Sequence, residues 1–305
     1  MQQIPKDMFE PAAVDHSEAE KISKKNLSFW TDVFLRFKEN KLALFGLVVL
    51  ILIALMAIFA PVFSSFQYEE TDLTNANQPP SGEHWFGTDD LGRDVFVRTW
   101  VGARISLTIG LAAALIDVLI GVIWGAISGI RGGRTDEIMM RIADVLWAIP
   151  SLLMTILLLV VMGKGLVTMI VAMVITGWIN MARIVRGQVL QLKNQEFVLA
   201  SRTLGAKNSR IIRKHLLPNI MSPILVTMTL TVPTAIFYEA FLSYLGLGVP
   251  QPLASWGTMA TDGVQGLEYY PWRLFFPATF ICLTMFAFNV IGDGLRDALD
   301  PKLRK

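Results

Sequence analysis

Two acidic side chains, Asp117 and Glu239, interrupt long apolar runs of this chain. An ionisable group in such a run is costly to hold in hydrocarbon. It therefore faces a bundle interior or a wet cavity, where it bonds to a neighbour or handles a substrate. Asp117 opens a four-residue spacing of small residues, Gly121, Gly125 and Gly129, which predicts close packing against another helix. Two roles stay open for it: a structural acid bonded to that helix, or a group lining a pathway or gate. Glu239 stands near the end of its run, where it could shape a gate or bond to the following loop. A third polar set is "GTDDLGRD" at 87–94. Thr88 or Asp89 could cap a short helix there. Alternatively Thr88, Asp89, Asp90, Arg93 and Asp94 present a contact surface to a partner. Their spacing does not fit an EF-hand.

Other chemistry is scarce. His16, His84 and His215 lie outside the apolar runs, and the single cysteine, Cys282, lies inside one. That leaves no Ser–His dyad in an apolar run, no intrachain disulfide and no Cys/His metal cluster. "MGKGL" at 162–166 lacks the first glycine and the hydroxyl residue of a phosphate-cradling loop, and no complete version occurs elsewhere.

The elements that position these residues read as membrane spans. The chain is 53% hydrophobic and only 17% charged, against about 25% charged for soluble domains. Crossing the bilayer core takes roughly 20 apolar residues. Six stretches qualify: 42–63, 105–130, 145–163, 166–182, 220–247 and 274–292. Between them lie a tail and interfacial helix at 1–41, external segments at 64–104 and 248–273, a polar connection at 183–219 and a tail at 293–305. Of the 27 Lys and Arg residues, 22 fall in alternate segments, which predicts that both termini are cytoplasmic. Basic residues that follow topology in this way give no reason to expect nucleic acid as a partner. Before the first span, 27–41 places Trp30, Val33, Phe34 and Phe37 on one helical face, as a helix along the inner membrane surface would. The polar lead is too long for a cleaved signal peptide. Tyr269, Tyr270 and Trp272 suit an interfacial belt. Pro150, Pro223, Pro233 and Pro277 can kink their spans.

The stretch "EFVLASRTLGAKNSRIIRKHLLPN", 196–219, is the polar exception among the spans. A helix from Gln195 to Leu204 puts Phe197, Ala200 and Leu204 on one face. Gly205 can end it, because glycine takes positive φ cheaply. Asn208 is a suitable N-cap for a second helix through Leu217, and Pro218 blocks continuation. The expected product is a helix–glycine–helix elbow suited to a partner's groove.

This stretch resembles the coupling loop of ABC importer permeases, whose pattern is Glu-Ala-Ala, three residues, Gly, nine residues, Ile, one residue, Leu-Pro. Ala200, Gly205, Leu217 and Pro218 match. Leu199 stands in the place of the glutamate, Ser201 in that of the second alanine and His215 in that of the isoleucine. Glu196, one helical turn earlier, is the acid available to serve instead. "FGTDDLGRD" (86–94), "EAFLSYLGLGVP" (239–250), "SWG" (255–257) and "GDGLRDALDPKLR" (292–304) resemble the C-type membrane subunit of the oligopeptide/dipeptide branch.

The resemblance implies an all-α membrane protein with six transmembrane helices in the ABC type I importer permease fold. It adds an interfacial N-terminal helix, a core domain over 103–305 and cytoplasmic coupling helices. It implies a non-catalytic, multi-pass subunit of a bacterial cell membrane, embedded in lipid, that binds no cofactor itself. ATP and Mg would be used by two ATP-binding partner subunits. A sister permease would complete the pathway, and an extracytoplasmic receptor would deliver the peptide. Alternatives are carriage of dipeptides, nickel or other small solutes, or a stand-alone secondary transporter. For the last, no internal repeat is evident. An intramembrane hydrolase finds no motif around Asp117 or Asp144.

Overall fold

The computed structural model describes residues 28–300. The polar lead, His16, Leu27 and the last five residues of the tail expected at 293–305 lie outside the described residues. Among the described residues the chain is helical, with one isolated bridge between Thr88 and Asp94.

Helix α1 (Phe29–Glu39) buries Val33 and Phe37, while Trp30 and Phe34 of the expected face stay exposed. Asn40 then turns the chain and caps α2 (Lys41–Phe63), its Oδ1 accepting the Ala43 N–H at 3.1 Å. A connecting segment, 64–94, containing a single 3₁₀ turn (Leu73–Asn75) leads to α3 (Val95–Arg131). At 37 residues, α3 is about 55 Å long by the usual helical rise. It begins ten residues before the stretch expected to span. Those residues pack Val95, Val97, Trp100 and Ala103 inside one end of the bundle, the end away from α1.

Helices α4 (Gly133–Ala148) and α5 (Ser151–Met162) together occupy the third expected span, but they meet at 79°. The cause is Pro150: it lacks a backbone donor and forces Ile149 into extended geometry, with φ −85° and ψ 125°. Helix α6 (Leu166–Leu192) runs ten residues past its expected span. After it come α7 (Glu196–Thr203), α8 (Asn208–Ile211), a π turn (Ile212–Leu216) and α9 (Leu217–Asn219). The bundle is completed by α10 (Met221–Tyr244), the short external α11 (Trp256–Gln265) and α12 (Trp272–Leu299). Five of these helices are long and apolar enough to cross a membrane, and the α4–α5 pair makes a sixth crossing if counted as one bent span.

Helices α3 and α6 make the most extensive pairing, α10 packs on α3, α12 lies against α10 and α2, and α2 also meets α3. Large apolar side chains such as Phe45, Leu52 and Phe59 cover the outside of α2. In water that surface would be unfavourable; in lipid it is the natural exterior.

Candidate functional site

The α3–α6 seam is built on the glycine stripe. A methyl group on Gly121 would meet Met181 and the Trp178 carbonyl. On Gly125 it would meet the Ala182 carbonyl, and on Gly129 it would meet Val189. Each four-residue step along α3 therefore matches one step along α6, and only a hydrogen at those positions lets the backbones approach this closely. Asp117 continues the stripe one step further and rests its carboxylate on Gly177. It is 6% exposed, and its Oδ1 has no hydrogen-bond partner.

Above this contact the bundle opens into a cavity of 730 Å³, within the size range of small-molecule sites. Helix α3 supplies Asp117, the α4–α5 bend supplies Trp147 and Thr155, and α6 supplies Thr176 and Asn180. Helix α10 contributes Thr227, Thr231, Thr234 and Tyr238, and Arg296 of α12 lines one end. The α4–α5 bend exposes this wall where a straight helix would have covered it. Three of the hydroxyls are already committed as donors. Thr155, Thr231 and Thr234 each donate to the carbonyl four residues earlier, at 2.9, 2.9 and 3.0 Å. Their remaining lone pairs are acceptors. The α10 residues follow helical spacing, so this face was readable from sequence, although Thr227, Thr231 and Thr234 were not singled out there.

The elbow sits at the end of the bundle that carries α1 and the end of α12. At its corner Gly205 has φ +80°. The Gly205 N–H donates to the Arg202 carbonyl at 2.9 Å and the Ala206 N–H to that of Ser201 at 3.1 Å. This is a Schellman end to α7, and it needs the left-handed residue that glycine supplies. Two details differ from expectation. Asn208 is the first helical residue and makes no cap; Lys207 precedes the helix with extended geometry. Pro218 does not end the helical path but sits inside α9. The preceding π turn widens the coil, with the Leu217 N–H reaching the Ile212 carbonyl. The Asn219 side chain donates to the His215 carbonyl at 2.6 Å.

Val198, Ile211, Leu216 and Ile220 form the buried side of the elbow and pack with Ala126, Ile130, Val185 and Val189 at the ends of α3 and α6. Outward lie Glu196, Phe197, Leu199, Ala200 and Leu204, the last 89% exposed. Ser201 is half-buried, its Oγ 3.3 Å from Nε2 of His215, and joins the two arms. Leu217 is half-buried and Pro218 exposed. A displacement of the elbow thus acts on the same two helices that hold Asp117 and Gly177.

Glu239 is wholly buried near the opposite end. Its carboxylate accepts hydroxyl protons from Ser106 at 3.1 Å, Ser243 at 2.9 Å and Ser255 at 2.6 Å, with the Gly257 N–H beside them. Ser106 in turn accepts the Trp256 N–H at 3.1 Å. One acid thereby ties α3, α10 and the start of α11 together, and the sequence could not reveal a partner 133 positions away.

The segment between α2 and α3 folds on itself. Asp89 pairs with Arg93 at 2.7 Å and Arg98 at 3.4 Å, and Asp90 with Arg273 at 3.1 Å. His84 lies 2.8 Å from Asp94, which caps α3 through the Val97 N–H at 2.8 Å. Thr88 donates to the Asn75 carbonyl at 2.5 Å. No helix starts at Thr88 or Asp89; the cap is Asp94, because the helix begins later. Of the five residues considered for a partner contact, Thr88, Asp89, Arg93 and Asp94 are buried and Asp90 is exposed. Asp262 of α11 lies in the same knot. Burial pushes its carboxyl above the usual range, reinforced by the nearby charge of Asp90.

Arg104 was also missed. Its Nε donates to the Ala57 carbonyl at 2.5 Å and Nη2 to that of Ile58 at 2.9 Å. Ala57 stands four residues before Pro61 and so lacks its helical donor; the guanidinium replaces it.

Known proteins share this architecture. A family model described as binding-protein-dependent transport system inner membrane component matches residues 121–305, and one for the N-terminal TM domain of oligopeptide transport permease C matches residues 28–80. The oligopeptide transport system permease protein OppC of Bacillus subtilis is 76% identical, over 100% of both chains. The dipeptide transport system permease protein DppC of the same organism is 59% identical, over 99% of this chain and 95% of its own. The OppC protein of Escherichia coli K12 is 46% identical, over 94% and 95%. A chain of the inward-facing MetNI methionine ABC transporter shares the fold, with a TM-score of 0.54 at 21% identity over 65% of this chain and 94% of that one. The chain therefore belongs to the inner membrane components of binding-protein-dependent transport systems, among the C-type permeases of the oligopeptide and dipeptide branch.

Proposed function

We propose that this multi-pass permease is the membrane subunit of an ATP-driven importer of oligopeptides, with its termini in the cytoplasm of a bacterial cell. It is not the catalytic subunit; ATP and Mg are used by two separate ATP-binding subunits. Phe197, Leu199, Ala200 and Leu204 of the elbow, with Glu196 supplying the acid, seat in those partners. Leu217 and Pro218 close the second arm. The cavity beside Asp117 forms this chain's share of the pathway, and a sister permease completes it. A peptide carries many backbone polar groups, and each costs several kcal/mol to leave unsatisfied in hydrocarbon. A wet, hydroxyl-lined route is therefore required.

A receptor docks at the external end, where Asp90 is the acid presented to it. Thr88, Asp89, Arg93 and Asp94 shape that surface from beneath. Trp30 and Phe34 of α1 rest in the inner lipid face. The observation that carries this reading is the mechanical continuity of the elbow with α3 and α6, whose middle turns line the cavity.

The test is reconstitution with the sister permease, ATPases and receptor in liposomes. Peptide-loaded receptor should raise ATP hydrolysis and drive uptake of oligopeptides ahead of dipeptides or nickel. Gly205→Pro should abolish that rise while leaving the spans inserted. Uptake by the purified chain alone, without ATP, would defeat the proposal.

A further inference from the structure

Asp117 is an acid without a base. Among the described residues it forms no ion pair. It is more than nine-tenths buried, with Oδ1 unpartnered, and it lines the cavity. The nearby cations pair with other acids. Arg183 pairs with Asp144 at 2.8 Å and lies over the Trp147 ring. Arg296 lines the cavity but stays largely exposed beside Asp293.

Part of the neighbouring wall has the same polarity as the acid. Thr155, Thr231 and Thr234 have given their protons to their own helices, so the lone pairs they retain are acceptors. The same wall carries the Asn180 amide and the hydroxyls of Thr176, Thr227 and Tyr238. A buried, unpartnered carboxylate beside hydroxyl acceptors suits a compact cation with several N–H donors. A lost charge-assisted hydrogen bond of this kind is among the larger single polar effects.

We infer that Asp117 is a recognition site for a ligand ammonium group, which in the peptide reading above is the free amino terminus of the cargo. This rests on the proposed import function and adds to it a chemical preference inside the membrane subunit, separate from any choice made by the receptor. A lysine side chain offers the same group, so the test separates the two sources.

The complete complex in liposomes is given three peptides, each at saturating receptor load. One has a free amino terminus and neutral side chains, one is its N-acetylated form, and one is N-acetylated with a single lysine. Asp117→Asn should slow uptake of the free-amine peptide about tenfold relative to the unchanged complex. It should leave the N-acetylated neutral peptide within about twofold. Asp117→Glu should restore part of the preference. Equal slowing of the lysine peptide would assign the site to ammonium groups generally; an unaffected lysine peptide would assign it to the amino terminus. Thr231→Val, which removes one acceptor without touching the acid, should shift the same ratio in the same direction by less. An equal slowing of the free-amine and the N-acetylated neutral peptide by Asp117→Asn, with the complex intact by co-purification, would mark a structural acid and overturn the inference. Unchanged rates for both would do the same. Failure of the unsubstituted complex to take up any peptide while hydrolysing ATP would instead refute the import reading itself.

Discussion

Replacing Glu239 should show how much of the external architecture one buried acid holds. In Glu239→Ala four donors lose their acceptor: the hydroxyls of Ser106, Ser243 and Ser255 and the Gly257 N–H. Two can recover. Ser243 can turn to the carbonyl one helical turn earlier, and Ser255 has Thr258 Oγ1 at 3.3 Å. The Ser106 hydroxyl and the Gly257 N–H remain stranded in a site of zero exposure, at about 1–3 kcal/mol each. Deleting the side chain also empties packed volume. Relief of carboxylate desolvation offsets part of this, leaving a loss of about 2–5 kcal/mol from the stranded donors and the emptied volume. Glu239→Gln keeps the shape. Its carbonyl oxygen accepts as before, and serine hydroxyls can rotate to accept from its amide nitrogen, so its cost should be only about 1–2 kcal/mol. The assay is denaturant titration of the detergent-solubilised protein followed by tryptophan fluorescence, since Trp256 adjoins the site and donates to the Thr99 carbonyl at 2.9 Å. Equal stability of the Ala and Gln variants, or a loss under about 0.5 kcal/mol for Ala, would refute the reasoning, because surface substitutions alone reach that size.

Arg104→Met should destabilise by about 1–2 kcal/mol, discounted for partial exposure. Pro61→Ala should cut that loss by restoring a backbone donor to Ala57, and an additive double-mutant cycle would refute the pairing. Gly125→Val should cost about 1–3 kcal/mol or more by forcing α3 from the Ala182 carbonyl, with loss of assembled complex on gel filtration as the check. For Asp262 burial holds the folded carboxyl above the ordinary aspartate range, so the native state binds its proton more tightly than the unfolded chain. Its contribution is fully present below that range and is lost as pH rises through the higher folded pKa. Asp262→Asn should flatten this acid-side dependence in thermal unfolding scans from pH 4 upward; an unchanged slope would sink the assignment.

Much of this architecture was legible because the bilayer imposes it. Runs such as 42–63 and 274–292 have few alternatives to a membrane helix. The spacing of Gly121, Gly125 and Gly129 is local to one helix and so readable along the chain. What escaped was decided elsewhere in the fold. Glu239 is explained by Ser106 and Ser255, Arg104 by a proline in α2, and the buried state of Asp89 and Arg93 by Arg98 and by the cap over α3. Charges in a polar loop ordinarily face solvent, and nothing within 87–94 announces the opposite. Pro150 was visible as a possible kink, but a turn of 79° depends on what packs on either side of it. Pro218 misled in the other direction, because the π turn before it is a property of the coil and not of the residue.

The most direct test of the account is the sidedness and occupancy of the elbow. A single cysteine placed at Leu204, with Cys282→Ser to clear the background, is treated with a membrane-impermeant thiol reagent. The account predicts no labelling in intact cells, labelling in inverted vesicles, and protection when the ATP-binding subunits are added back. Labelling in intact cells, or no protection by those subunits, would contradict it.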